Sequence, residues 1–338
     1  MPSFPARRIT VAILTATTLA ACAGDEINAP ADPVEGGFTV NTATGWAFAS
    51  LGDEDVVAVS DPAASESWDI GFNALNVMLN GGSAGPGGVS GFCLCENAGA
   101  TDEQVLAMTA ENQLAAFDAV TADDVPGAGF ESDVLVPAIE PWYDGTGATI
   151  AANETTWLLR LRNGTSFAKL HVVSVTGASA GDAGDVTIEY AVQPTAADPF
   201  GPTETLVLDA AAGTTADLIG GTTDGAEWDL ALDGFDFTVN GGVSGTGDAA
   251  AAASDLSFEG VTTASTDPRA YSTDTFGGVF TSSPWYRYNL TGEHGVHPTF
   301  DVYLVKRGAD VYKLQVLDYY GPAGEPRQIT FRYAKLTD

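Results

Sequence analysis

The chain is short of positive charge. Only 13 Lys and Arg stand against 45 Asp and Glu in 338 residues, a formal net charge of −32. A surface of that sign repels phosphate backbones and anionic headgroups, which excludes nucleic acid as a partner. It suits solubility, a cationic ligand or a salty exterior. Cysteine, methionine and histidine are also scarce, three of each, so a cage of several soft metal ligands has few residues to draw on. Long apolar runs are missing as well. The longest begins at Ile9 and extends for about 13 residues, too short to span a bilayer. There is no Gly-x-x-x-x-Gly-Lys, and the glycine-rich loops lack the lysine that a phosphate cradle uses. Gly81-Gly82-Ser83-Ala84-Gly85 fits the GxSxG pattern of a nucleophile elbow. The elbow needs a helix straight after the serine, and "GPGGVSGF" cannot start one. No catalytic residue and no enzymatic activity are expected.

What remains is enough to fold. Hydrophobic residues make up 45% and charged residues 17%, a composition that builds real cores, and the length suits about two domains. Residues 1–21 read as an address: Arg7 and Arg8, an apolar run, then Leu19-Ala20-Ala21-Cys22. That ending resembles the lipobox of bacterial lipoproteins, which implies cleavage before Cys22 and a lipid on its sulfur. Removing residues 1–21 takes both arginines, so 11 basic residues face 45 acidic ones and the charge falls to about −34. Ala23 after the cysteine, rather than Asp, implies sorting to the outer membrane. Residues 22–33 then form a polar tether.

Along the body, β-branched and aromatic runs such as "WDIGF", "FAKLHVVSV", "VTIEYAV" and "VYKLQVLDYY" alternate with Gly, Pro and Asp turns. This predicts an all-β fold. One helix is expected, from Thr101 to about Val120, opened by a Thr-x-x-Gln capping box with Val105, Leu106, Met108, Leu114 and Phe117 along one side. In "GFCLCEN", Cys93 and Cys95 form either a local disulfide, as an oxidising compartment allows, or free or intermolecularly bonded thiols.

The chain also repeats itself. Trp68-Asp69 and Asn80-Gly81-Gly82 return as Trp228-Asp229 and Asn240-Gly241-Gly242 at an offset of 160; Pro141-Trp142-Tyr143 returns as Pro284-Trp285-Tyr286 at 143. "WLLRLRNG" and "DVYLVKRG" match at 144, and "VTIEYA" and "ITFRYA" at 143. Two offsets differing by 17 mean a duplication with one insertion, placed between Asn80 and Pro141. A period this long implies two copies of a domain, 34–195 and 200–338, with the helix inserted in the first. The second copy, free of the insertion, is expected to fold alone.

These motifs in this order, twice, resemble the HmuY family of bacterial surface lipoproteins. The resemblance implies tandem all-β domains on a lipid anchor at the outer membrane, binding haem or a related tetrapyrrole, with an outer-membrane receptor as a partner. A histidine pair is the ligand set it implies. His294 and His297 in "TGEHGVHPTF" are candidates, with His171 as a further ligand and Tyr286 of the second Pro-Trp-Tyr as an aromatic platform. The alternative is a surface interaction or adhesion module with no small-molecule site. The Trp-Asp to Asn-Gly-Gly spacing reads first as structural, a buried strand and the tight loop after it.

The anchoring expectation has a direct test. Cys22→Ser should move the protein from the membrane fraction to the soluble fraction; unchanged membrane association would overturn the lipobox reading.

Overall fold

The computed structural model describes residues 37–337. The expected signal peptide 1–21 and the expected tether 22–33, with Cys22, lie outside them. The fold is all-β. Two five-stranded antiparallel sheets are each faced by a four-stranded sheet. Among the described residues no helix is long and apolar enough to cross a membrane.

Strand Asp185–Gln193 shows why these sequences make sheets. Val186, Ile188 and Tyr190 are buried, while the residues between them face outward, the period of two that a strand with one apolar face requires. Its neighbours in the sheet are Phe167–Thr176 on one side and Glu204–Asp209 on the other, followed by Thr156–Arg160 and Ala250–Ser254 at the far edge. The other large sheet runs Gly37–Asn41, Pro326–Lys335, Asp310–Tyr320, Tyr303–Arg307, Val89–Cys93.

Those two orders show how the copies are put together. In each large sheet the three inner strands come from the C-terminal half of one sequence copy, and both edge strands come from the N-terminal half of the other. Cys93 lies opposite Tyr303, and Trp157 opposite Ala253. The smaller sheets follow the edge strands: Ala47–Ser50, Ile70–Asn73 and Asn76–Leu79 pack with the strands from 303–335, and Thr214–Asp217, Leu230–Asp233 and Asp236–Val239 with those from 156–193. The chain thus forms two β-sandwiches with exchanged halves. One core is built from Val40 to Val89 together with Val279 to Tyr333, the other from Ile139 to Ala251. The strands Val134–Val136 and Thr275–Gly277, where the chain leaves the first sandwich and returns to it, pair antiparallel.

The expected domains 34–195 and 200–338 therefore describe the repeat in sequence and not the packing units. Residues 200–338 do not hold one core: Phe331 stacks on Phe72 at 5.1 Å, while Leu230 and Leu232 pack with Leu159 and Leu170. Offsets carry no information about which copy a strand pairs with, because both choices satisfy the same pattern.

The insertion is also sharper than expected. The offset of 160 holds as far as Cys93, which has the place of Ala253 in the sheet, and has dropped to 141 by Phe117 and Phe258, the rings beneath Lys313 and Lys169. The inserted residues thus lie between 94 and 116. The single helix expected over 101–120 is two: α1, Asp102–Leu106, and α2, Leu114–Ala119. Thr101 caps α1 through the expected box with Gln104. The break follows from Thr109 and Asn112, which bond to each other's backbone amides while Asn112 Nδ2 donates to the Ala107 carbonyl, the local competition that ends helices. Only Val105 and Phe117 are buried in α1 and α2; Leu106 and Leu114 face outward.

The exchange predicts an outcome for a cut chain. Residues 194–199 are exposed and join the two sequence copies. Cleavage at a protease site engineered there should leave two fragments that co-elute under native conditions, because each sandwich contains strands from both. Separation into two folded species would contradict the exchanged pairing.

Candidate functional site

The repeated Trp-Asp to Asn-Gly-Gly spacing closes a knot at the base of each sandwich. Asn80 is fully buried. Its Nδ2 donates to the carbonyls of Trp68 and Ser65, and its Oδ1 accepts from the Gly87 amide. Asn240 repeats this with Trp228 and Gly247. The glycines follow from close approach: a Cβ on Gly81 would overlap the Val89 carbonyl, and Gly82, at φ +61°, lies against the Asp133 carbonyl. Trp68 and Asp69 precede the strand Ile70–Asn73, and within it Ile70 and Phe72 are buried. Ser83 is exposed and its amide donates to the Asp133 carbonyl; no helix follows it.

The buried carboxylates of this motif bind the exchanged halves together. Asp69 accepts from the Leu51 amide at 2.7 Å and pairs with Arg307 at 2.9 Å. Asp229 accepts from the Leu218 amide and pairs with Arg162 at 2.8 Å, and Arg162 also reaches Asp217 and Glu227. Each pair joins the N-terminal half of one copy to the C-terminal half of the other. Two further aspartates fasten the crossover strands: Asp133 accepts from the Leu79 amide, and Asp274 from the amides of Val239 and Ala138. Burial pushes the Asp133 carboxyl up to about 7, against a small downward pull from the Leu79 amide. Sequence reasoning missed both aspartates. The signal was available, since Asp133 and Asp274 share the offset of 141 with Phe117 and Phe258.

A cavity of about 310 Å³ opens beside this crossover. Trp46, Phe276, Phe280 and Tyr286 supply its aromatic walls, Leu75, Val77 and Pro284 apolar surface, and Asn73, Asn76 and Thr273 polar edges. Tyr286 also packs against the core, and burial raises its hydroxyl above the ordinary range. At the equivalent place in the second sandwich Ile139 bridges Phe237. In the first sandwich the one-turn helix α3, Val279–Ser282, replaces that bridge and sets Phe280 on the cavity wall.

The structure separates the candidate histidines. His171 belongs to the second sandwich, where it stacks on Phe258 at 4.5 Å and reaches Glu189 at 3.2 Å. His294 and His297 lie in the hairpin of Tyr286–Tyr288 and Val296–Pro298 in the first. His294 is exposed, at φ +62°, with Nδ1 3.1 Å from the Tyr288 hydroxyl. His297 lies opposite Arg287 and Tyr286 opposite Pro298, so His297 and Tyr286 face opposite sides of the ribbon. The His297 Nε2 is buried without a partner among the described residues, and burial lowers the pKa of the ring. None of the three histidines lines the aromatic cavity. Cys93 and Cys95 form a disulfide. Among the described residues no group of three or more His, Cys, Asp or Glu is placed to hold a metal ion.

Compared with known proteins, the two-sandwich chain with its repeated anchors matches the model of the HmuY protein family over residues 42–190 and again over 207–333. The chain belongs to the HmuY family. Among solved structures it is similar to an HmuY-like haem-binding candidate from Bacteroides vulgatus ATCC 8482, with 12% identity, TM-score 0.34, and coverage of 90% of this chain and 93% of that one. It is similar also to a candidate lipoprotein from Bacteroides fragilis NCTC 9343, with 12% identity, TM-score 0.30, and 90% and 92% coverage. The apo form of an HmuY analogue from Tannerella forsythia gives 9% identity, TM-score 0.31, and 91% and 100% coverage. No curated protein matches the chain.

The Asp133 carboxyl generates a pH prediction. Unfolded, it titrates at about 3.9; folded, at about 7. Between these values the folded chain holds a proton that the unfolded chain has released, so this group's contribution to stability falls as pH rises through the window. Asp133→Asn keeps an acceptor for the Leu79 amide and cannot titrate. Its melting temperature should therefore fall less steeply than the wild type's from about pH 4 to pH 7; parallel curves would count against the shift.

Proposed function

We propose that this is a non-enzymatic ligand-binding protein, tethered by a lipid on Cys22 at the outer membrane, and that its ligand is haem or a related tetrapyrrole. The observation that carries the reading is the double match to the HmuY family, and the aromatic cavity supports it. At about 310 Å³ the cavity lies at the low end of the roughly 300–1,000 Å³ range of small-molecule sites. It takes the edge of a flat ring and leaves the rest of a macrocycle outside. Trp46, Phe276, Phe280 and Tyr286 offer ring faces for stacking. Iron ligation, where it occurs, is assigned to His297. Among the described residues its Nε2 has no competing partner, and burial favours the neutral imidazole that a metal needs. His297 faces away from Tyr286, so stacking in the cavity and ligation by His297 are separate modes that one experiment distinguishes. Presentation to an outer-membrane receptor belongs to the same proposal.

The experiment is a haem titration of residues 23–338 followed in the Soret band, run beside Tyr286→Ala and His297→Ala. Saturable binding that Tyr286→Ala weakens about tenfold or more, a loss of at least about 1.4 kcal/mol, places the ligand in the cavity. Loss of a low-spin spectrum with His297→Ala alone assigns the ligand to the hairpin. No saturable change with any of the three proteins overturns the tetrapyrrole reading in favour of an interaction module.

A further inference from the structure

From the contacts of the inserted segment 94–116 we infer that it is a docking element whose partner is the C-terminal half of the second copy. On this inference the insertion selects the exchanged pairing over its unexchanged alternative. It is independent of the ligand.

Several contacts between halves cannot make that choice, because both sandwiches contain them. Lys313 donates to the carbonyls of Phe117 and Val120 while resting on the Phe117 ring; Lys169 does the same with Phe258 and Val261. The Trp285 indole donates to the Leu75 carbonyl and the Trp142 indole to that of Phe235. The Asp–Arg pairs also occur on both sides. Either N-terminal half could make all of these with either C-terminal half.

The insertion breaks the tie. Arg287 pairs with Asp102 at 2.9 Å and donates to the Ala100 carbonyl at 2.6 Å. Arg332, itself 3% exposed, donates to the Ala110 carbonyl. Asp301 accepts from the Asn97 amide at 2.8 Å, and Asn97 Nδ2 donates to the Thr299 carbonyl. The strand registers give the residues in the same places in the first copy. Arg287, two beyond Trp285, corresponds to Asp144, two beyond Trp142. Arg332, opposite Gln315, corresponds to Glu189, opposite His171. Asp301, two before Tyr303, corresponds to Thr155, two before Trp157.

Unexchanged, the insertion would therefore set Asp102 against Asp144 and the Ala110 carbonyl against Glu189. Two attractive contacts become repulsive and one charged acceptor is lost, while Arg332 and Asp301 lose these partners at buried positions. Taking hydrogen-bond partners from a buried charged group is among the costlier changes a fold can undergo. A chain with two equal topologies would populate both; this one has copy-specific charges that disfavour one of them.

Spin labels test the choice in residues 22–338 carrying Cys22→Ser, with the Cys93–Cys95 disulfide left oxidised. Ser90 lies opposite Lys306, and Arg160 has the matching place in the other sandwich, opposite Ala250. Labels on cysteines at 90 and 306 should show the strong dipolar broadening of neighbouring strands, and labels at 90 and 160 a single longer distance. Arg287→Asp with Arg332→Glu should then give the 90/160 pair a new short-distance population. Asp144→Arg, at an exposed position, should do so too and keeps the test open where the double variant fails to fold. Short 90/160 distances in the parent protein, or distributions that no charge substitution shifts, would overturn the inference.

Discussion

The structure depends on one strand pairing made twice: Val89–Cys93 beside Tyr303–Arg307, and Ala250–Ser254 beside Thr156–Arg160. Each joins chain segments far apart in sequence, and each closes an edge that would otherwise present a row of unpaired amides and carbonyls. The rest follows from it. Once the N-terminal half of one copy has paired with the C-terminal half of the other, the small sheets must follow, the Asp–Arg pairs form between halves, and the two connecting segments meet. These segments become the short ribbon of Val134–Val136 and Thr275–Gly277, held at its ends by the buried Asp133 and Asp274.

The candidate ligand cavity is a product of that crossing and of divergence between the copies. Its walls come from the first copy's small-sheet hairpin, the second copy's crossover and the Pro-Trp-Tyr segment that follows. Neither copy alone supplies all three in this arrangement. Ile139 bridges Phe237 at the equivalent place in the second sandwich, whereas α3 in the first sets Phe280 on the cavity wall. Duplication thus kept the knots of Asn80 and Asn240 nearly identical while letting one concave surface open. Backbone closure tolerates little change, as the overlap of any Cβ on Gly81 with the Val89 carbonyl illustrates, and a cavity wall tolerates much more.

A large part of this was legible in the residues. Alternating apolar positions gave the strands, as in Asp185–Gln193, and the Thr101 box gave the start of α1. The repeat, the insertion and the family were readable from Trp-Asp, Asn-Gly-Gly and Pro-Trp-Tyr at nearly constant offsets. The candidate site was less legible. Tyr286 does line the cavity, but His171 belongs to the other sandwich, and His294 and His297 share a hairpin without sharing an environment. Two histidines three apart in a loop carry no sign of which will be exposed, because the left-handed backbone at His294 and the half-buried place of His297 are set by the strands around them.

The sequence by itself determined the all-β class, the duplication with its insertion and the start of the inserted helix. Those depend on local patterning and composition, which a linear chain carries completely. Tertiary structure alone decided which copy each half joins, where the cavity opens and which histidine nitrogen is buried. A repeated sequence is ambiguous about its own partners, and that ambiguity ends only when Arg287 and Arg332 meet the inserted segment rather than Asp144 and Glu189 doing so.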